Sequence, residues 1–320
     1  MRWLLRLALL AGTALAVGLV LRAGLGPILA LLATAGWRLL WLVPLHALPL
    51  LLDVMGWQGL LRASGVAAEF TAPARLLPIA SVREAINRLL PVANIGGEIA
   101  GIRLLSRAGA AAAPVTASVV VEVLLTILSQ LLFAAVGVLV LLHLTGKVAL
   151  AAQLLLALAL AAPVVAALYL LVHRGALFER ILRGVEGSLQ LPARLRSTLQ
   201  QAAAVDAQLR ALLGRPAVLW VTVLWQLAGF AAGAIETWLA LRWLGHPVGV
   251  ATALALESLT QAIRHFIFVV PAGLGVQEAG LAGFGYLLGL PADAGIALSL
   301  AKRMREIVFG VPALAWWQLT

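Results

Sequence analysis

Ionisable side chains stand inside runs of sequence that are otherwise apolar. Glu122 lies within Val119-Val-Val-Glu-Val-Leu-Leu, Glu236 within Ala234-Ile-Glu-Thr-Trp and Glu257 within Ala255-Leu-Glu-Ser-Leu. Arg264 follows Glu257 by two helical turns, and Lys302, Arg303, Arg305 and Glu306 interrupt the last apolar run. A charge at the centre of a bilayer costs ~3 kcal/mol even on insertion scales. Such groups must therefore face a polar interior, where they neutralise one another and offer contacts to a polar headgroup. Two short segments carry further acids: Pro91-Val-Ala-Asn94-Ile-Gly96-Gly97-Glu98-Ile-Ala-Gly101-Ile-Arg103 and Pro271-Ala-Gly273-Leu-Gly275-Val-Gln277-Glu278. In each, a proline is followed seven residues on by Glu, with glycines between. Proline ends a helix by removing a donor, and glycine lets backbone turn or approach closely. Each Glu then stands at the start of a new helix, where the dipole favours negative charge.

Bond-making chemistry has no comparable signature. The five His, at 46, 143, 173, 246 and 265, are scattered without metal-ligand spacing, and only His265, beside Arg264, is near the charged stretches. No phosphate-binding loop of the nucleotide-hydrolysing type is present, and Gly273-Leu-Gly275 lacks the strand-then-helix setting of a dinucleotide site. No catalytic residue, metal or cofactor is expected.

The elements that must position these groups are transmembrane helices. Of 320 residues, 63% are hydrophobic and 11% charged, against about 25% charged in soluble domains. That excludes a water-soluble fold, and the absence of Cys excludes disulfide scaffolds and thiol chemistry. The net charge of +10 fits cytoplasmic loops rich in Lys and Arg better than nucleic-acid binding. Arg2 and Arg6 before the run Leu7–Leu21, with Ala14-Leu15-Ala16, resemble a signal peptide. The run is also long enough to span, and a retained first helix with its basic end in the cytoplasm is expected. A second span covers 28–52, broken by Trp37-Arg38, Pro44 and Pro49. Asp53 to Arg88 is amphipathic and reads as an interfacial stretch. A helical hairpin follows, 113–142 and 148–172, turning at Thr145-Gly146-Lys147. His173 to Arg215 is basic and, by the positive-inside rule, cytoplasmic. Its apolar residues at helical spacing imply a helix on the inner leaflet. Apolar segments resume at 217–244, 250–270, 272–290 and 294–319. Trp220, Trp225, Trp238, Trp243, Trp316 and Trp317 mark interfaces.

The expected fold is all-α, a single polytopic membrane helix bundle with two re-entrant helical hairpins related by a pseudo-repeat. Its parts are 1–90, 91–172, the connector 173–215 and 216–320. Gly/Pro-interrupted segments at corresponding places in two halves point to a transporter's central site. Irregular backbone at that depth must line protein or a water-filled cavity. Surface loops with solvated acids are the alternative.

Pro91 to Leu105, Val119 to Leu132, Pro271 to Gly283 and Ala297 to Gly310, in this order, resemble the membrane region of lysylphosphatidylglycerol synthases and their stand-alone flippase-like relatives. The strings Pro-Val-Ala-Asn-Ile-Gly-Gly-Glu and Pro-Ala-Gly-Leu-Gly-Val-Gln-Glu are similar to those of the hopanoid-biosynthesis-associated subgroup. The family pattern has Gly-acid, here Gly97-Glu98, then an Arg where this chain has Gly101, with Arg103 as the substitute. It also has Glu-Arg and then Asp, where this chain has Glu122, Val123 and Thr126. Its Gly-x-Gly-x-x-Glu falls on Gly273, Gly275 and Glu278, and its last-span Arg on Arg303 or Arg305. The departures imply a different headgroup.

The resemblance implies a lipid translocase of the bacterial inner membrane that moves a hopanoid or an anionic phospholipid through a cavity. Glu98, Glu278, Gln277, Arg264, Arg103, Glu122, Asn94, Arg303 and Arg305 would line it. Pro91, Gly96, Gly97, Pro271, Gly273 and Gly275 would shape its backbone. Expected partners are the lipid, with self-association and contact with hopanoid-making enzymes left open. A membrane-embedded lipid-modifying enzyme and a non-catalytic assembly partner are the alternatives.

Overall fold

Every described regular element is helical. The computed structural model describes residues 2–90, 95–173, 193–267 and 270–319. Helix α1 (Arg2–Ala23) leads into α2 (Leu25–Ala35), a 3-10 turn at Gly36–Trp41, α3 (Leu42–Leu45) and α4 (Ala47–Ala63). Together α2 to α4 make one apolar span, Leu25–Ala63, extending 11 residues past the expected end. Pro73 at the first helical position opens α5 (Pro73–Leu89), followed by α6 (Gly96–Arg107) and the long α7 (Ala112–Thr145). Gly146, at φ 65, gives α7 a left-handed cap, its N–H donating to Leu142 at 2.8 Å, and α8 (Val148–His173) returns. The predicted helical hairpin is therefore present, and most of the face of α8 is exposed, as lipid-facing helices are. Helices α9 (Ala193–Leu213), α10 (Pro216–Trp243), α11 (Val250–Phe266), α12 (Val276–Leu287) and α13 (Ala292–Leu319) complete the chain. By length and composition α7, α8 and α10 are also candidate spans. Helix α13 is long enough at 28 residues, but its central charges break the apolar pattern.

The pseudo-repeat is visible in element lengths. The first half runs α5, 17 residues, α6, 12 residues, then long α7; the second runs α11, 17, α12, 12, then long α13. At 1.5 Å per residue the short arms measure ~26 and ~18 Å, less than the ~30 Å apolar core. Both are shorter than the ~20 residues usual for a span. The halves interlock: α5 packs on α13 of the other half, and α11 packs on α7. Glycine on each long helix makes the approach close. A Cβ on Gly310 would lie 2.7 Å from Leu89 Cδ1 of α5, and one on Gly137 would sit 2.9 Å from Ser258 Cβ of α11.

Two expectations are corrected. The stretch Asp53–Arg88 is partly interior: Val54, Trp57, Leu60, Leu61, Leu76 and Val82 of α4 and α5 are fully buried and α4 packs along α10. Of its charged residues, Arg83 and Glu84 pair with charges from other helices, whereas Arg62, Glu69 and Arg75, around the connection from α4 to α5, are exposed. The helix predicted to lie on the inner leaflet exists as α9, yet Leu209, Leu212 and Leu213 dock into a cluster with Ala117 and Val121 of α7. Burying these side chains against protein releases the same apolar area that a membrane surface would cover. The remainder of the basic segment, 174–192, is outside the described residues.

Helix α6 lies on α5 through Gly97, where a Cβ would stand 2.2 Å from the Arg83 carbonyl oxygen. Backbone cannot yield there as a side chain can. Gly97→Ala should destabilise the detergent-purified protein by ~1–3 kcal/mol. Gly283→Ala on α12, whose Cβ meets open space, should be neutral or stabilise by up to ~1 kcal/mol. Thermal unfolding of the two variants checks this, and equal behaviour would contradict the close approach.

Candidate functional site

The first cluster is built on a residue that the motifs passed over. Arg83 of α5 reaches Glu122 of α7 with both terminal nitrogens, at 2.8 and 3.2 Å, and Glu98 of α6 through Nε at 2.9 Å and Nη2. Its guanidinium stacks 4.4 Å from the centre of the Trp57 ring, adding a cation–π contact in a buried setting. Asn87, one turn on, donates to Glu98 at 3.2 Å and accepts the Gly97 N–H at 2.9 Å. The N-terminus of α6 is thus capped from the preceding arm, and Glu98 is released to hold Arg83. Gly101 makes room, since a Cβ there would meet Arg83 Cδ at 2.7 Å. The guanidinium beside Gly101 comes from α5.

The second hairpin is organised differently. Ala272, Gly273 and Gly275 have φ of 55, 59 and 76°, a left-handed turn that costs an alanine ~1 kcal/mol. Arg303 of α13 holds this turn, donating to the carbonyls of Ala272 at 2.7 Å and Gly273 at 3.0 Å. Glu278 accepts the Gly275 N–H at 2.7 Å and the Ser299 hydroxyl at 3.0 Å, with Arg303 Nε at 3.3 Å. Here the acid does cap its own helix. Gln277 accepts from Arg264 and donates to Ser299 Oγ at 3.1 Å. Helix α1 presses on the turn at Gly12, where a Cβ would lie 2.6 Å from the Leu274 carbonyl oxygen.

The third cluster joins the halves. Glu306 receives Arg264 at 3.2 and 3.3 Å and Arg303 at 3.2 Å, with Arg305 at 3.9 Å. Arg305 donates to Glu236 of α10 at 3.0 Å and also meets His46 Nδ1. His46, at the junction of α3 and α4, lies 2.8 Å from Glu84 of α5 and 3.0 Å from Glu236. Lys302 pairs with Glu257, which also accepts from Thr237 and from Gln261 at 2.8 Å.

Thus Glu98 and Glu122 meet in one cluster, and Glu278, Gln277, Arg264, Arg303 and Arg305 in a connected other. Gly96, Gly97, Gly273 and Gly275 shape the two breaks, while Pro91 and Asn94 fall outside the described residues, as does the side chain of Pro271. Arg103 is the miss: its side chain is exposed, on the far face of α6, because the helix turns its glycine face, Gly97 and Gly101, to Arg83. Glu236 and Glu257 are buried and paired. His265 bonds its own helix at the Gln261 carbonyl, 2.9 Å, and the histidine within the charge network is His46. Arg83, Asn87, Glu84 and His46 went unselected. The usable signal was Arg83 and Asn87 at i and i+4, one face of the helix that runs into the first break.

What the arrangement can do follows from its packing. The cleft among His46, Glu84, Arg88, Arg305 and Glu306 encloses about 10 Å³, room for ~1 water. Of the residues expected to line a cavity, Arg305 is at this cleft. Among the described residues no group of His, Asp or Glu is placed to hold a metal ion.

A family model of the lysylphosphatidylglycerol synthase TM region matches residues 3–313. The chain belongs to this family. No curated protein and no solved structure matches it. Family membership gives the chain a lipid-related role in a membrane.

Removing one partner of a buried pair leaves a charge uncompensated, at a cost of ~3–5 kcal/mol. Arg83→Gln, which strands Glu98 and Glu122, should lower stability by that amount. Adding Glu122→Gln should recover part of it. Thermal unfolding of the wild type, both single variants and the double variant measures the coupling, and strict additivity would show that the bond network is not formed.

Proposed function

We propose that this protein moves a lipid between leaflets, its polar headgroup passing along the charged seam between the two hairpins while the tails stay in hydrocarbon. The single observation that carries this reading is the placement of a connected set of ionised groups at the centre of the bundle. They lie between two similar helix–break–helix units with arms of 17 and 12 residues. In this reading both hairpins are re-entrant, dipping into the membrane and returning. Charges so placed cost stability in a membrane. A purely structural bundle would do better with packed apolar residues.

The family match supports a lipid as the cargo. Each hairpin break would serve as one end of the path, with Glu98 and Arg83 at the first and Glu278, Arg303 and Arg264 at the second. Exchange of partners is the working step. Glu306 is shared by Arg264, Arg303 and Arg305, so an arginine can leave it for an incoming headgroup without stranding the carboxylate. The closed cleft is then the occluded state of the cycle.

Glu278→Gln keeps an oxygen able to cap the Gly275 N–H but withdraws the charge facing Arg303. In proteoliposomes with a fluorescent phospholipid and an impermeant quencher, wild type should expose inner-leaflet lipid, and the variant should slow this by ~10-fold or more while still unfolding cooperatively, its loss of stability limited because Arg303 keeps Glu306 and the Ala272 and Gly273 carbonyls. Lipid mass spectrometry of cells with and without the protein provides the other arm. A new lipid species, with no redistribution between leaflets, would replace translocation with lipid modification.

A further inference from the structure

The α5–α13 contact carries two clefts that run into each other. One is the charged cleft already described. The other is an apolar groove of about 380 Å³ on the outside of the bundle, lined by Val43, Pro78, Val308, Phe309, Pro312 and Trp316. Phe309 belongs to both, its ring meeting His46 edge-on at 5.2 Å. The polarity changes along the same two helices. On α5 it passes from Arg88 and Glu84 to Ser81 and Pro78; on α13 it passes from Arg305 and Glu306 to Pro312 and Trp316.

Two polar groups at the charged end lack full partners. Arg305 is buried, and its Nε–H has no acceptor among the described residues, although leaving such a donor unmade costs ~1–3 kcal/mol. The Arg88 side chain is 31% exposed, with its paired carboxylate, Glu84, 3.7 Å away and already bonded to His46. Both residues line the cleft. An unmet donor on one arginine and a half-open guanidinium on another call for an acceptor with negative charge. An oxyanion accepting from guanidinium groups makes the stronger class of hydrogen bond.

We propose that this seam is a lipid-binding site that takes a phosphate-bearing anionic headgroup at Arg88 and Arg305 and one hydrocarbon chain in the groove, with Phe309 as the door between them. From Arg88 to Pro78 is ten residues of helix, ~15 Å, half of the ~30 Å apolar core. That is the depth of one leaflet, the span of a single lipid. The groove's size falls within the ~300–1,000 Å³ of small-molecule sites. The charged end is closed to anything much larger than water in this state, so entry of the headgroup requires Phe309 to swing off His46. This deepens the translocation reading and rests on it for the lipid cargo. Between the two lipid classes left open by the sequence, it selects the phosphate-bearing one over a neutral polycyclic lipid.

The test uses the full-length protein in mixed micelles with phosphatidylglycerol carrying a photoreactive diazirine in one chain. Crosslinks mapped by mass spectrometry should concentrate on residues 308–316. Unlabelled phosphatidylglycerol should displace the probe, whereas diacylglycerol of the same chains and millimolar glycerol phosphate should not, the first lacking the charge and the second the tail. Arg88→Gln, which withdraws the cation, and Val308→Trp, which fills the groove from an exposed position, should each reduce the crosslink ~10-fold. Equal displacement by diacylglycerol, or label spread as densely over lipid-facing α8 as over 308–316, would overturn the proposal. Crosslinking as expected in a protein that moves no lipid upholds the site and removes the translocation reading. Translocation without this crosslink removes the site alone.

Discussion

The bundle depends on electrostatic neutralisation in a dry interior. Water is not available to solvate Arg83, Glu122, Glu236, Glu257, Lys302, Arg305 or Glu306, all of them buried. An unpaired ion in such a place costs several kcal/mol, which only a well-aimed opposite charge offsets. Helix α13 concentrates this demand. Lys302 faces α11, Arg303 the turn before α12, Arg305 the α3–α4 junction and α10, and Glu306 receives Arg264 from α11. Four residues within one helical turn and a half therefore fix the positions of most of their neighbours. Apolar packing alone would leave those helices free to slide, because a side chain in hydrocarbon meets much the same surroundings in any register.

The two halves share a plan and differ in where they put the charge. In both, a 17-residue arm, a break and a 12-residue arm precede a long helix, and the Glu at the third position of the second arm is the acid of the break. In both, the first arm brings an arginine to a carboxylate of the long helix, Arg83 to Glu122 and Arg264 to Glu306. The second half adds Arg303 and Arg305 from the long helix itself. Crosswise packing of α5 on α13 and α11 on α7 then puts unlike charges opposite each other at the join. A set of bonds that is shared, as at Glu306, is also one that can be redistributed, which a set of isolated pairs is not. The unmet Arg305 Nε–H and the groove beside it lie at this same join.

Much of this was legible without coordinates. Composition places the chain in a membrane, since so few charges cannot cover a water-facing surface. The pairing of proline, glycines and Glu at residues 91–98 and 271–278 reveals two breaks, because each residue type acts through its own backbone or its neighbours. Gly146 ends α7 for the same local reason. The charges at Glu122, Glu257 and 302–306 declare a polar interior by their cost alone.

Partnership was not legible. Arg83 is sequence-remote from Glu122 and sits in a stretch whose mixed polarity reads as interfacial, so its burial follows only from α4, α6 and α7 closing around it. Arg103 lies nearer the first break, yet faces outward because the glycine face of α6 is the one that fits against α5. His46 joins Glu84 and Glu236 across three helices, a meeting that no spacing encodes. Local rules determined the helices, the breaks and the need for neutralisation. Which cation answers which anion was decided by the interlock of the two halves, because Coulomb attraction depends on distance in space and is indifferent to distance along the chain.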